Sequence, residues 1–118
     1  MRGLLVLAGA AAASALSAAP AHAASYDCAK AVSADEVTIC ATPRLSMLDS
    51  EMGALWYSYS RIPMMMGGQG ARMDDARQFL KDRAACARNV RCLTQLYVAR
   101  NAALRRQIDI ALRNVTIR

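Results

Sequence analysis

The chain has 118 residues, with 15 Lys and Arg against 9 Asp and Glu and one histidine, His22. Its length suits one domain with a modest core, and its charge is moderately basic. His22 lies in an apolar leader; once the leader is removed no histidine remains, which excludes Ser–His, Cys–His and His-containing zinc chemistry.

The leader occupies residues 1–23. Arg2 supplies a positive start, a Leu/Val/Ala-rich run from Gly3 to Ala19 the apolar middle, and Ala21-His22-Ala23 a small-x-small cleavage site. Pro20 breaks the apolar run short of the roughly 20 residues that a spanning helix needs, so a transmembrane span in the mature chain is not expected. Cys28 lies well past the apolar run, so the leader has no lipoprotein cleavage box. The mature chain is therefore read as residues 24–118, a single exported domain of 95 residues. Removing Arg2 leaves 14 basic against 9 acidic side chains, a net charge of +5.

In the mature chain, Ser33-Ala34-Asp35-Glu36 has the form of a capping box and predicts a short helix ending near Cys40. Thr42-Pro43 then reads as N-cap and first helical position of a second helix, with Leu45, Leu48, Met52, Leu55 and Tyr59 on its apolar side and an end near Arg61. Pro63 and the Gly67-Gly68-Gln69-Gly70 cluster mark a loop. A third helix is predicted from about Ala71, with Asp74 and Asp75 in its first turn and a buried stripe of Met73, Ala76, Phe79, Leu80 and Ala84. The fourth runs from Val90 to about Leu112, burying Leu93, Tyr97, Leu104 and Ile108 with Arg100 on the same face; residues 114–118 are expected to fray. The fold class is all-α, a small bundle of about four helices.

Cys28, Cys40, Cys86 and Cys92 permit three disulfide pairings. Continuous helix would place the α-carbons of residues 86 and 92 about 9 Å apart, beyond the roughly 7 Å limit for a bridge. A break at Asn89, suited both to a left-handed helix end and to an N-cap, would bring them together. Cys28–Cys40 and Cys86–Cys92 are the favoured pairs, two local staples. Five residues between Cys86 and Cys92 do not make the Cys-x-x-Cys arrangement that lowers a thiol pKa, so the pair reads as structural and not redox-active.

"YDCAKAVSADEVTICATPRLSMLDSEM" and "FLKDRAACARNVRCLTQLYVARNAAL" together resemble the lysozyme-inhibitor LprI N-terminal domain family over residues 26–104. The features that carry the resemblance are Asp27-Cys28-Ala29-Lys30, Glu36 four before Cys40, Leu48-Asp49, Arg83 three before Cys86, the spacing of Cys86 and Cys92, and then Leu93, Tyr97 and Arg100. The chain departs from the family pattern in having Phe79 in place of Trp and Ala84 in place of Asp. The resemblance implies a disulfide-stapled helical domain of the bacterial envelope, some of whose relatives inhibit lysozyme.

Three candidate sites follow from the residues. Arg100, on an apolar stripe, is expected to be buried against a carboxylate, with Asp49 as its partner and Arg83 a further structural cation. Met64, Met65 and Met66 could offer thioethers to Cu(I), but adjacent residues cannot all face one metal without an irregular loop, and a partner-contacting segment is the better reading. Arg83, Arg88, Arg91, Arg100, Arg105, Arg106 and Arg113 could together meet anionic lipid or wall polymer, although a solvated face explains them too; export argues against nucleic acid. Asp27, Asp35 and Glu36, with Asp74-Asp75, are the acidic groups that a substrate-mimicking inhibitor could present, though helix capping accounts for them more simply. No metal, cofactor or catalytic residue is expected. The chain is read as a periplasmic binding protein, with lysozyme or another envelope protein as its partner, or an anionic envelope polymer reached through Arg105 and Arg106.

Overall fold

A computed structural model describes residues 24–116; the expected leader, residues 1–23, and the last two residues lie outside it. A 3-10 turn at Cys28–Lys30 leads into four helices: α1 (Ala34–Ala41), α2 (Pro43–Ser60), α3 (Gly68–Cys86) and α4 (Val90–Thr116). The described residues contain no strand. α2 and α4 make the most extensive packing, α1 lies against α2 and α3, and α3 against α4. Ile39, Leu45, Phe79, Cys86, Leu93 and Tyr97 form the buried centre, where Phe79 and Tyr97 meet edge to face with ring centroids 5.3 Å apart.

Both favoured disulfides are present. Cys28 and Cys40 have α-carbons 5.8 Å apart and tie the N-terminal turn to the end of α1; Cys86 and Cys92, 5.6 Å apart, close the corner between α3 and α4. Asn89 caps α4, its Oδ1 accepting from Cys92 N at 3.0 Å. The positive-φ residue at this corner is Ala87, with φ 49° and ψ −118°, and not Asn89. The chain must reverse immediately after Cys86 for Cys92 to come back to it, so the reversal falls one residue past the helix end.

Local signals placed most boundaries well. Thr42 ends α1, its N–H bonding to Ile39 O, and begins α2 with Pro43 at the first position. The capping box does not close: Glu36 Oε2 accepts from the N–H of Val32 at 3.3 Å, one residue before the N-cap Ser33, and the Ser33 side chain makes no cap to the backbone. α3 begins at Gly68, three residues earlier than expected, because Gly67 takes φ 82° and starts the helix itself. Asp74 and Asp75 therefore sit in its second turn. α4 continues to Thr116, past both its expected end and the residue where fraying was expected.

The buried face of α3 differs most from expectation. Met73, Leu80 and Ala84 are exposed, whereas Arg72, Phe79, Arg83 and Cys86 are buried. Arg72 Nη1 donates to Tyr59 O at 2.6 Å and to Ile62 O at 3.0 Å, so it closes the carbonyl end of α2 and meets the negative end of that helix dipole. Apolar periodicity alone cannot register a helix whose inward face carries two arginines.

Candidate functional site

Arg83 and Asp35 form a buried pair that joins α3 to α1. Arg83 Nε lies 2.7 Å from Asp35 Oδ2, and Nη2 lies 3.5 Å from Glu36 Oε1. Tyr26 stacks near the same guanidinium, 5.7 Å from its ring centroid, and donates its hydroxyl to Glu36 O at 2.9 Å. Burial alone would raise the Asp35 pKa, but hydrogen bonds from Ser33 and Arg83 and the guanidinium charge outweigh it and hold the carboxyl below its usual range. For Tyr26, burial acts together with the charge of Asp49 and pushes the hydroxyl up to about 12.

The expected Asp49–Arg100 pair does not form. Asp49 is fully buried and accepts from Tyr97 Oη at 2.7 Å and from Ser25 N and Ser25 Oγ, each at 2.6 Å. Arg100 instead pairs with Asp75 on α3, its guanidinium 5.3 Å from the Phe79 ring centroid. The register of α4 explains the exchange: Asn101 is the residue that reaches α2, donating Nδ2 to Leu48 O at 3.1 Å, which leaves Arg100 directed toward α3. Tyr97 ionises well above the usual range because it is buried and because it already donates to the Asp49 carboxylate.

Apart from the half-exposed Asp75, these networks are interior and hold the bundle in register. Among the described residues no group of His, Cys, Asp or Glu is arranged to hold a metal, and no helix is long and apolar enough to cross a membrane. A cleft of about 180 Å³ between α3 and α4 is lined by Asp75, Gln78, Phe79, Asp82 and Arg100, among others, with Gln78 Nε2 donating to Asp82 Oδ1 at 2.8 Å.

A wider concavity than this cleft lies at the other end of the bundle. Pro63, Met64, Met65, Met66 and Gly68 face Ala111, Asn114 and Val115 of α4 across an open cavity of about 480 Å³. Met64 folds over Gly68, where an added Cβ would come within 3.3 Å of the Met64 Cβ. Met66 is fully exposed and Met65 largely so; on α4, Ile110, Leu112 and Val115 are each about half exposed. The three methionines thus come together with a helix end that lies some 45 residues further along the chain, a juxtaposition their sequence did not announce.

The arginines do not make one exposed face. Arg83 and Arg100 are buried in the pairs just described, and Arg105 lies against Glu51 of α2. Arg88, Arg91, Arg106 and Arg113 are exposed and form no ion pair among the described residues. Sequence reasoning missed Ser25, Asn101 and Arg72, and read Asp75 as a helix-start or target-facing carboxylate and not as the partner of Arg100. An arginine three residues beyond a core tyrosine signals a buried pair, but nothing local says which helix supplies its carboxylate.

No family model, curated protein or solved structure matches the chain.

Proposed function

We propose that the mature chain is an exported, periplasmic binding domain that protects the cell wall by inhibiting lysozyme, and that it contacts its target with the methionine loop and the end of α4. The observation that carries the contact surface is the apolar cavity of about 480 Å³ rimmed by Met64, Met65 and Met66. Its volume and lining suit the insertion of a partner's side chains, and methionines adapt to irregular partner surfaces. The resemblance to the LprI-like domains supplies lysozyme as the target class. The charged side chains inside the bundle are satisfied within it, Arg83 by Asp35, Arg72 by backbone carbonyls and Asp49 by hydroxyl and amide donors, so this reading assigns them to structure and assigns no catalysis to the chain.

A net charge of +5 offers a basic lysozyme no long-range attraction, so apolar packing has to carry the affinity. The test is titration of the processed, oxidised protein into lysozymes of several types, following wall lysis and direct binding at about 0.15 M and about 1 M salt. Stoichiometric inhibition that survives high salt, weakened at least tenfold by Met65→Ser with Met66→Ser, is the expected result. Salt-labile binding to anionic polymer with no lysozyme inhibition would instead assign function to Arg88, Arg91, Arg106 and Arg113 and overturn the lysozyme reading.

A further inference from the structure

Asp49 occupies an unusual position in this fold. Its carboxylate is fully buried, yet it pairs with none of the described lysines or arginines. Tyr97 Oη, Ser25 N and Ser25 Oγ, all neutral donors, satisfy its oxygens. A carboxylate taken out of water is compensated poorly by neutral groups alone, and a nearby cation would improve its position considerably.

Two of the three donors belong to the segment that follows the expected leader. Ala24 packs against the core, and Ser25 sits on α2 over Gly53, where an added Cβ would meet the Ser25 Cβ at 2.8 Å. α2 thus provides a fitted seat: a carboxylate at position 49 and, one turn later, a residue without a side chain. Successive backbone nitrogens are at most about 3.7 Å apart, which puts the nitrogen of Ala24 within about 6 Å of Asp49 Oδ2. In an uncut chain that nitrogen is a neutral amide. When a leader peptidase hydrolyses the 23–24 bond, water supplies the hydroxyl of the new Ala23 carboxyl group and a hydrogen to the Ala24 nitrogen, which takes a further proton from solvent to become an ammonium.

We propose that the α-ammonium released at Ala24 is the counter-ion of Asp49, so that removal of the leader completes the native packing of the N-terminal strap. The inference rests on the reading that the chain is exported and processed. The charges that act on Tyr26, two residues along the strap, are Asp49 from α2, Arg83 from α3, and Asp35 and Glu36 from α1, while Tyr97 of α4 donates to Asp49; Asp35 and Glu36 already engage Arg83. Asp49 is therefore the carboxylate left for the ammonium. Before cleavage the Ala24–Ser25 end of the strap meets Asp49 through the neutral donors of Ser25 and without a cation, so the precursor docks that end less firmly than the processed protein does.

The experiment uses protein recovered from the envelope after processing, with intact mass establishing where the chain begins. Nuclear magnetic resonance of protein labelled at alanine follows the Ala24 amino group through a pH titration. The expected result is a pKa raised by about one unit or more above the usual range of about 7.7–8.0, a tenfold gain in proton affinity, and its return to that range in Asp49→Asn. Should Asp49→Asn fail to fold, a Gly-Ser insertion between Ala24 and Ser25 keeps the cleavage site and moves the ammonium away from Asp49; its amino group is expected to titrate in the usual range. A processed chain beginning at Ala24 whose amino group titrates in the usual range would overturn the proposal. A chain cut elsewhere would overturn the proposal and leave export standing, whereas a chain left uncut would overturn both. Neither readout involves lysozyme, so the proposed contact surface stands or falls separately.

Discussion

Replacing Arg83 with methionine should be among the most damaging single changes in this protein, and the reason is Asp35 more than Arg83. Methionine keeps much of the apolar stem but removes the nitrogens that lie 2.7 Å from Asp35 Oδ2 and 3.5 Å from Glu36 Oε1. Asp35 is only 3% exposed, so it cannot recover its hydration without opening the α1–α3 contact. Breaking a buried pair in this way costs about 3–5 kcal/mol, a large part of the roughly 5–15 kcal/mol that holds a domain folded. At about 4–8 °C per kcal/mol for a domain of this size, even the lower cost implies a fall in Tm of about 12–24 °C. The assay is thermal and urea unfolding of oxidised Arg83→Met, Asp35→Asn and the double variant. Asp35→Asn should cost several kcal/mol in the native background and little or nothing alongside Arg83→Met, because the stranded charge is then gone. If the two losses simply add, to within about 0.5 kcal/mol, the pair does not couple and the reasoning fails.

The same pair sets the acid limit. The Asp35 pKa is lowered on folding, so its contribution is fully present above the unfolded value of about 3.9 and is lost as pH falls through the folded value; acid unfolding of Asp35→Asn should show a correspondingly shallower dependence. At the alkaline end the sign reverses: Tyr26 rises from 10.0 to about 12, so the stability it contributes below pH 10 disappears between the two values, and tyrosinate absorbance should show the Tyr26 step missing in Tyr26→Phe. Arg72→Met should cost about 1–3 kcal/mol by removing the guanidinium that donates to Ile62 O and, beside the Ile62 N–H, to Tyr59 O, measurable as a lower urea midpoint at unchanged slope. Ala87→Gly should raise stability by about 1 kcal/mol, since glycine adopts φ 49° without the clash of a Cβ; an unchanged or lower Tm would contradict this.

Local chemistry made much of the architecture legible. Thr42-Pro43, Asn89 and the glycine cluster each act within a few residues of themselves, so helix count, approximate boundaries and both disulfide pairs followed from spacing and backbone geometry. Core positions on α2 and α4 followed from apolar periodicity, because those helices bury apolar side chains such as Leu45 and Leu93. The periodicity of α3 misled, since Arg72 and Arg83 turn inward to meet a helix end and a carboxylate on other elements.

Partner choice was decided only in three dimensions. Arg100 and Asp49 were both recognisable as buried charges, yet the rotation of α4 sends Asn101 to α2 and Arg100 to α3, and Ser25 takes the place expected for a cation. The methionine loop likewise acquired its cavity from the last turns of α4, far along the chain. A sequence determines which groups need partners, because desolvation and helix geometry act residue by residue. Which partner each one meets depends on the relative rotation and register of packed helices, and the whole chain sets these at once.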